Sequence, residues 1–220
     1  MTGSQTFSRK AVVLLSGGLD STVTLYAALA DRVEVHALTV LYGQRHRREV
    51  EFARLHGQRA ASHVVVDCDL GILAPCPLLG QGDVRGSAKI GTEKPPSYVP
   101  ARNTVLLSLA LSRAEIVGAS EIYIGANADD FAGYPDCRDA YYQTFEALSR
   151  LATWGAGVKV VRPLQALSKA AVVAKAWQLG IDLAQTWSCY HPLSDEPCGI
   201  CDACRLRADA VRLANPAPLR

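Results

Sequence analysis

Hydrophobic positions along the 220-residue chain gather into short apolar runs separated by longer, mixed stretches. "AVVLLS" (11–16), "VEVHALTVLY" (33–42) and "HVVVDC" (63–68) have the length and β-branched content of buried strands, as do "EIYIGA" (121–126) and "VKVVRPL" (158–164). Between and after them, residues 20–30, 45–61, 101–119, 138–152 and 168–180 have helical composition. Strands alternating with helices of this length predict an α/β fold. The expected form is a doubly wound, mainly parallel sheet covered on both faces, with right-handed crossovers. One stretch breaks the alternation. Residues 79–97, "LGQGDVRGSAKIGTEKPPS", are rich in glycine, proline and charge, and predict a mobile loop. Its Gly80, Gly82 and Gly86 approach a dinucleotide fingerprint, but the spacing is one residue too long and no strand precedes it.

Composition narrows the class. With 49% hydrophobic residues the chain is not globally disordered, and a net charge of +2 is little for a protein that lives on a nucleic-acid backbone. "AVVLL" is too short for a signal-peptide core, and no uncharged apolar run approaches the length of a membrane span. A soluble, cytoplasmic protein with no nucleic-acid or membrane partner is expected.

The first strand runs into "SGGLDST". Gly17 and Gly18 let the backbone turn tightly and approach a phosphate, the following helix offers free N–H groups, and Ser16, Ser21 and Thr22 add hydroxyls. A Walker loop would need Gly-Lys-Ser/Thr, and the chain contains no Gly-Lys dipeptide. Asp20 stands there instead. A carboxylate beside a polyphosphate suits a bound Mg²⁺ and a reaction in which pyrophosphate leaves and AMP stays. The bland alternative is a Gly-Gly-Asp turn with Asp20 as helix cap.

Four of the seven cysteines lie close together, as Cys189-x8-Cys198-x2-Cys201-x2-Cys204. Clustered cysteines in a chain without an evident export signal read as metal ligands. Four thiolates at these spacings fit a closed tetrahedral zinc site that supports folding; an iron–sulfur cluster and disulfides are the competing uses. The expected organisation is an α/β nucleotide-binding domain over 1–188 and a small metal-binding subdomain over 189–220.

A second polar constellation follows the 121–126 strand. Residues 125–139, "GANADDFAGYPDCRD", bring Asp129, Asp130, Phe131, Tyr134, Asp136, Arg138 and Asp139 into one loop. Its rings could stack on a flat heterocycle, and its carboxylates could accept from N–H donors of a purine-like edge. "YVPARN" brings Arg102 and Asn103 to the start of a long helix, where Arg102 could clamp a carboxylate. Lys169 opens a late helix and could neutralise a triphosphate. Cys137 reads as a pocket wall rather than a nucleophile, since no histidine adjoins it.

The hexapeptide "SGGLDS" resembles the PP-loop signature of the ATP pyrophosphatase superfamily. "YGQRHRREVE" (42–51), "YVPARN" (98–103), "GYPDCRD" (133–139) and the four cysteines follow in that order. Together they resemble the 7-cyano-7-deazaguanine (preQ0) synthase family over most of the chain. Ala101 stands where that family leads one to expect glycine. The resemblance implies ATP-dependent conversion of 7-carboxy-7-deazaguanine and ammonia to the nitrile through adenylylated acid and amide intermediates, two ATP per product. It implies ATP binding along Leu15, Ser16, Gly17, Gly18, Leu19, Asp20, Ser21, Thr22, Val23, Thr24 and Leu25, with Asp20, Ser21 and Lys169 as the catalytic set. Arg102, Asn103, Asp130, Phe131, Tyr134, Asp136 and Arg138 would hold the deazaguanine. One structural Zn²⁺ on Cys189, Cys198, Cys201 and Cys204, Mg²⁺ with ATP, and a homodimer are also implied. Two other readings compete: a PP-loop tRNA thiolase, and a zinc-knuckle interaction module.

Overall fold

The structure, a computed structural model, describes residues 9–44, 48–73, 76–79, 97–192 and 195–214, apart from the side chains of 77 and 131–133. Five parallel strands form one sheet: β1 (Lys10–Leu14), β2 (Glu34–Leu41), β3 (Ser62–Asp67), β4 (Glu121–Tyr123) and β5 (Lys159–Val161). Their spatial order is β3-β2-β1-β4-β5. The helices are α1 (Leu19–Ala30), α2 (Arg48–Gly57), α3 (Arg102–Val117), α4 (Ala128–Gly133), α5 (Asp139–Ala152), α6 (Lys169–Gln178) and α7 (Asp202–Ala214). None of the described helices is long and apolar enough to cross a membrane.

The near-continuous apolar strands β1, β2 and β4 at the middle of the sheet are buried on both faces, as central parallel strands must be, while the edge strands β3 and β5 are partly open. Val12, Leu14, Leu38 and Ile122 face α3 and α5, where they meet Leu107, Tyr142 and Phe145. Ala11, Val13, Leu15 and Val35 face the other way, onto Leu25 and Ala28 of α1 and Ala53 of α2. A one-residue slip would exchange these two sets, so the register of β1 against β2 (Val12 opposite His36) and β4 (Val12 opposite Ile122) is strongly specified. A third core joins Leu19 and Val23 of α1 to Val172, Val173 and Ala176 of α6 and Ala210 of α7.

The element types read from the sequence hold, with instructive differences at the ends. The strand expected over 121–126 stops at Tyr123. Beyond it the chain leaves the sheet to press against α1: a Cβ on Gly125 would lie 2.9 Å from the Asp20 carbonyl carbon and 3.0 Å from the Ser21 nitrogen. The loop expected over 125–139 contains α4 and a 3₁₀ turn, Pro135–Cys137. A capping box starts α4: the Asn127 side chain accepts from Asp129 N (2.9 Å), and Asn127 N donates to Asp130 Oδ2 (3.1 Å). Helix α7 was not expected from the pattern. Its buried stripe is Ala210 alone, with Val211 and Ala214 partly covered, too sparse to stand out as a period. The proposed glycine-rich loop, over its 80–96 portion, and His46 lie outside the described residues.

Sheet order fixes where a ligand can bind. β1 connects to β2 on one side, while its other neighbour is β4. The carboxyl ends of β1 and β4 are therefore the topological switch point, beyond which sheets of this kind bind their ligands.

Candidate active site

The loop after β1 is built for close backbone approach. Gly17 sits at φ +89°, and a Cβ there would fall 1.9 Å from Glu49 O and 2.6 Å from Ala53 N of α2. Only glycine fits that place. Gly18 is the N-cap of α1 and offers no side-chain cap, so the first-turn N–H groups are left to an anion. The hydroxyls brace the loop from within: Ser16 N donates to Ser21 Oγ (3.1 Å), and Ser21 Oγ lies 3.1 Å from Gly18 O and 3.0 Å from Ser16 Oγ.

Asp20 lies in the first turn of α1, not at its cap, so the capping alternative fails. Its Oδ2 receives an ion pair from Lys169 Nζ and a hydrogen bond from Asn127 Nδ2 (3.3 Å). Its Oδ1 is buried with no hydrogen-bond partner. Such an orphaned carboxylate oxygen is a ready ligand for a hard cation. Lys169, the first residue of α6, also donates its backbone N–H to Asp129 Oδ2 (3.2 Å). The starts of α1, α4 and α6 thus meet around one carboxylate. Of the other residues in the 15–25 stretch, Leu15, Leu19, Val23 and Leu25 point into the cores, and Thr22 and Thr24 are buried with unpaired hydroxyls. Ser16, Gly18 and Asp20 are the ones left at least partly open.

Arg102 begins α3. It is preceded by Ala101 at φ +52°, a left-handed conformation that glycine would adopt more readily. The Arg102 guanidinium carbon lies 5.8 Å from the Tyr42 ring centroid, and its side chain bonds the Tyr42 hydroxyl. Burial works against its charge, but Tyr42, Tyr190 and Tyr134 around it raise its basicity overall. Among the described residues no carboxylate comes within salt-bridge distance of it. Burial pushes the Tyr42 phenol up to about 12 and raises those of Tyr134 and Tyr190, so all three are neutral donors around a fixed cation. Tyr134 shares a 2.7 Å hydrogen bond with Ser97 and stacks on Tyr98, centroids 6.4 Å apart.

Asp130 sits between the two halves. Burial, then the neighbouring Asp20, lifts its carboxyl above the usual range. Asn103 and Asp136 engage each other: Asn103 N donates to Asp136 Oδ2 and Asn103 Nδ2 to Asp136 O, both at 3.1 Å. They lock the start of α3 to the 135–137 turn. Cys137 is buried beneath them, and burial with Asp130 and Asp136 pushes its thiol up to about 12, which fits a packing residue and not a thiolate nucleophile. Arg138 is exposed at the start of α5. The Phe131 side chain lies outside the described residues.

The Sγ atoms of Cys189, Cys198, Cys201 and Cys204 all lie within 4.8 Å of one another. Sulfurs about 3.8 Å apart surround a tetrahedral zinc with bonds of about 2.3 Å, and Cys189 and Cys198 are at 3.6 Å. No disulfide links any of the seven cysteines. Backbone N–H groups of His191 and Cys198 point at Cys189 Sγ (3.3 Å each), and that of Cys201 at Cys198 Sγ (3.4 Å). Such donors stabilise thiolates, so the cluster fits a metal ion. It is tied to the nucleotide loop through Trp187, whose N donates to Gly17 O (3.0 Å) and whose Nε1 donates to Cys189 O (2.9 Å). Arg207 of α7 holds the same strand of chain through Thr186 Oγ1 (2.9 Å) and Ser188 Oγ (3.0 Å).

Asn127, Tyr42, Tyr190 and Arg207 were not singled out from the sequence. Asn127 carried a usable signal, an Asn-x-x-Asp cap directly after a strand. Tyr42 opens the 42–51 motif, though nothing in that motif pointed to Arg102; Tyr190 and Arg207 carried no signal, because their partners are distant in the chain.

A parallel sheet of this order, with a Gly-Gly loop lacking the Walker lysine and an Asp–Lys pair at the switch point, defines an α/β nucleotide-binding domain of the PP-loop kind. The family model described as queuosine biosynthesis protein QueC matches residues 10–215, and the chain belongs to that family. It is 48% identical over 207 residues to the 7-cyano-7-deazaguanine synthase of Xanthomonas campestris pv. campestris (strain B100), covering 91% of this chain and 92% of the relative. It is 45% identical to that of Anaeromyxobacter dehalogenans (strain 2CP-C), over 91% and 90% of the two chains. Among solved structures it resembles the U34-tRNA thiolase NcsA from Methanococcus maripaludis with its [4Fe-4S] cluster: TM-score 0.53, 17% identity, covering 96% of this chain and 66% of the thiolase. It also resembles the NMN synthetase from Francisella tularensis: TM-score 0.51, 11% identity, 96% and 89% covered. At those identities the likeness is of fold alone.

Proposed function

We propose that the protein converts 7-carboxy-7-deazaguanine and ammonia to 7-cyano-7-deazaguanine with two ATP per product, in queuosine or related 7-deazapurine biosynthesis. The carrying observation is the set of groups gathered at the switch point: a Gly-Gly loop with an uncapped helix start, Asp20 met by Asn127 and Lys169, and the cationic Arg102 beside Tyr42. Membership of the family and the names of its relatives supply the substrate.

The chemistry follows from leaving groups. A carboxylate is a poor electrophile, so its oxygen first attacks the α-phosphorus of ATP and pyrophosphate departs. Ammonia adds to the acyl carbon, AMP leaves with the oxygen, and a proton is lost to give the amide. The amide oxygen then attacks the α-phosphorus of a second ATP and a second pyrophosphate departs; loss of AMP with its oxygen and of the two remaining N–H protons leaves C≡N. The residues act by positioning and charge neutralisation. The 16–22 loop cradles phosphate, Lys169 neutralises it, and Ser21 keeps the loop in shape. Asp20 would hold Mg²⁺ through its unpaired Oδ1, and the ion would supply further neutralisation of the leaving pyrophosphate. Arg102 takes the acid, Asp130 and Tyr134 bound the heterocycle, and Asn103 and Asp136 fix the wall; Phe131 and Arg138 are assigned to its rim.

The four cysteines hold one structural Zn²⁺ per chain, since four thiolates leave no open position for substrate water. Metal analysis decides this: zinc at about one per chain is expected, and iron with visible absorption would replace it by a cluster. A homodimer, the division at 188/189, a cytoplasmic location and the absence of nucleic-acid partners belong to the same proposal. The thiolase and interaction-module readings are not favoured, since the relatives at 45–48% identity are all synthases by name.

The test is an endpoint assay by mass spectrometry, with protein, 7-carboxy-7-deazaguanine, ATP, Mg²⁺ and ammonium. Nitrile with about two AMP per molecule is expected, one for each activation. Amide as the sole product would refute the second activation, and no turnover would refute the assignment.

A further inference from the structure

The glycine pair that lets the loop approach a phosphate also leaves one peptide free to turn. A trans peptide carries its C=O and N–H on opposite sides. Half a turn of the Gly17–Gly18 peptide would exchange them, and two flanking glycines oppose that rotation less than other residues do. In the structure the Gly17 carbonyl accepts from Trp187 N (3.0 Å). Gly18 N therefore points to the other side, toward the Oγ of the exposed Ser16 (3.2 Å). The reversed peptide would present a carbonyl oxygen there in place of a donor. An anion is attracted by the first arrangement and repelled by the second.

Trp187 is itself held by the cysteine knuckle. It is 6% exposed, packs with Cys189 and Cys201, and stacks on Phe52 of α2, centroids 6.4 Å apart. Its Nε1 donates to Cys189 O (2.9 Å). The residues on either side of it are clamped as well: Arg207 Nη1 donates to Thr186 Oγ1 (2.9 Å) and Ser188 Oγ (3.0 Å). Arg207 follows Cys204 by three residues on α7, so the two share a face of that helix. A metal on Cys189 and Cys204 would close a ring that runs through the 186–188 segment, Arg207 and one turn of α7.

We propose that Trp187 is a positioning residue for the phosphates of the nucleotide, and that the metal-loaded knuckle, acting through it, keeps the Gly17–Gly18 peptide with its N–H toward them. The inference rests on the proposed function above. It gives the knuckle a part beyond folding support, because metal occupancy then sets the affinity for ATP. The effect is selective, since the chain of contacts ends on one peptide of the phosphate loop.

The experiment uses the full chain, with metal content measured alongside binding of Mg²⁺-ATP, Mg²⁺-pyrophosphate and adenosine by calorimetric or NMR titration. Trp187→Phe keeps the stack on Phe52 and loses the bond to Cys189 O; Arg207→Gln loses the clamp on Thr186 and Ser188. Both are expected to retain metal and to weaken ATP and pyrophosphate about three- to tenfold, the size of one hydrogen bond. Adenosine, which has no phosphate, should bind as it does to wild type. Wild type stripped by a chelator should show the same selectivity at about tenfold or more, reversed when zinc is restored; where the stripped chain unfolds, the two variants decide. Unchanged ATP binding in both variants, or an equal loss of adenosine, would overturn the positioning role. A stripped chain that stays folded and binds ATP normally would overturn the part given to the metal. If wild type binds ATP but leaves the acid unconverted, the proposed function fails, while the binding comparisons still judge Trp187.

Discussion

The two walls of the proposed site are made in different ways. The proposed nucleotide wall is built on one contiguous stretch, residues 16–22, whose glycines expose backbone N–H groups and whose Asp20 is met by Asn127 and Lys169. The proposed substrate wall takes Tyr42 from the end of β2, Arg102 from α3, and Asp130 and Tyr134 from the α4 region. A backbone site needs mainly local conformation, so a short sequence can specify it. A side-chain pocket needs its parts delivered from several elements, and the sheet does the delivering. Loss of one part should therefore be all-or-none on the first wall and graded on the second.

The largest effect is expected from Asp20→Ala, which removes the carboxylate at which Lys169 and Asn127 meet. Turnover should vanish while metal content stays unchanged, because the knuckle does not contain Asp20. Retained turnover would remove Asp20 from the chemistry. Arg102→Gln should be graded: KM for the acid rises about 10- to 100-fold, as for a lost hydrogen bond to a charged group, with KM for ATP little moved. An equal change in both constants would erase the distinction between the walls.

Acid should act on the walls in opposite senses. His56 braces the nucleotide side: its Nε2 lies 2.8 Å from Gln185 O and its Nδ1 3.2 Å from the Tyr26 hydroxyl. Burial lowers its pKa below 6.5, so the stability it contributes is present above that value and is lost as pH falls through it toward the depressed folded pKa. Asp130 is raised by burial and Asp20, so its unfavourable ionisation is relieved as pH falls. Thermal midpoints from about pH 3.5 to 8 test both. His56→Gln should flatten the decline below about 6.5, and Asp130→Asn should stabilise at neutral pH and lose that gain near the ordinary carboxylate range.

The smallest effect concerns Ala101. Its left-handed φ costs about 1–2 kcal/mol, and glycine returns about 0.4–1 kcal/mol of that through the unfolded chain. Ala101→Gly should stabilise by roughly 0.5–1 kcal/mol, read by denaturant midpoint. A loss of stability would mean that the Ala101 methyl matters to the entry into α3.

Much of this was legible in advance because the signals are local. Apolar runs gave all five strands; "SGGLDS" gave the turn from β1 into α1, and four closely spaced cysteines gave a cluster that could hold a metal ion. The expectation of glycine at 101 proved to mark a real backbone demand. What could not be read was which polar residues meet. Asn103 and Asp136 looked like substrate contacts and turn out to bond each other, while Arg138 looked equivalent to them and stands exposed.

The sequence by itself determined the strands and helices, the phosphate loop without its Walker lysine, and the sulfur ligand set, since each depends on neighbours within a few residues. Tertiary structure alone decided that Asn127 and Lys169 converge on Asp20, and that Gly17 must have no side chain because α2 lies against it. Those facts depend on where a parallel sheet sets its loops down, and contacts between segments up to 149 residues apart, as for Asp20 and Lys169, leave no periodic trace in the chain.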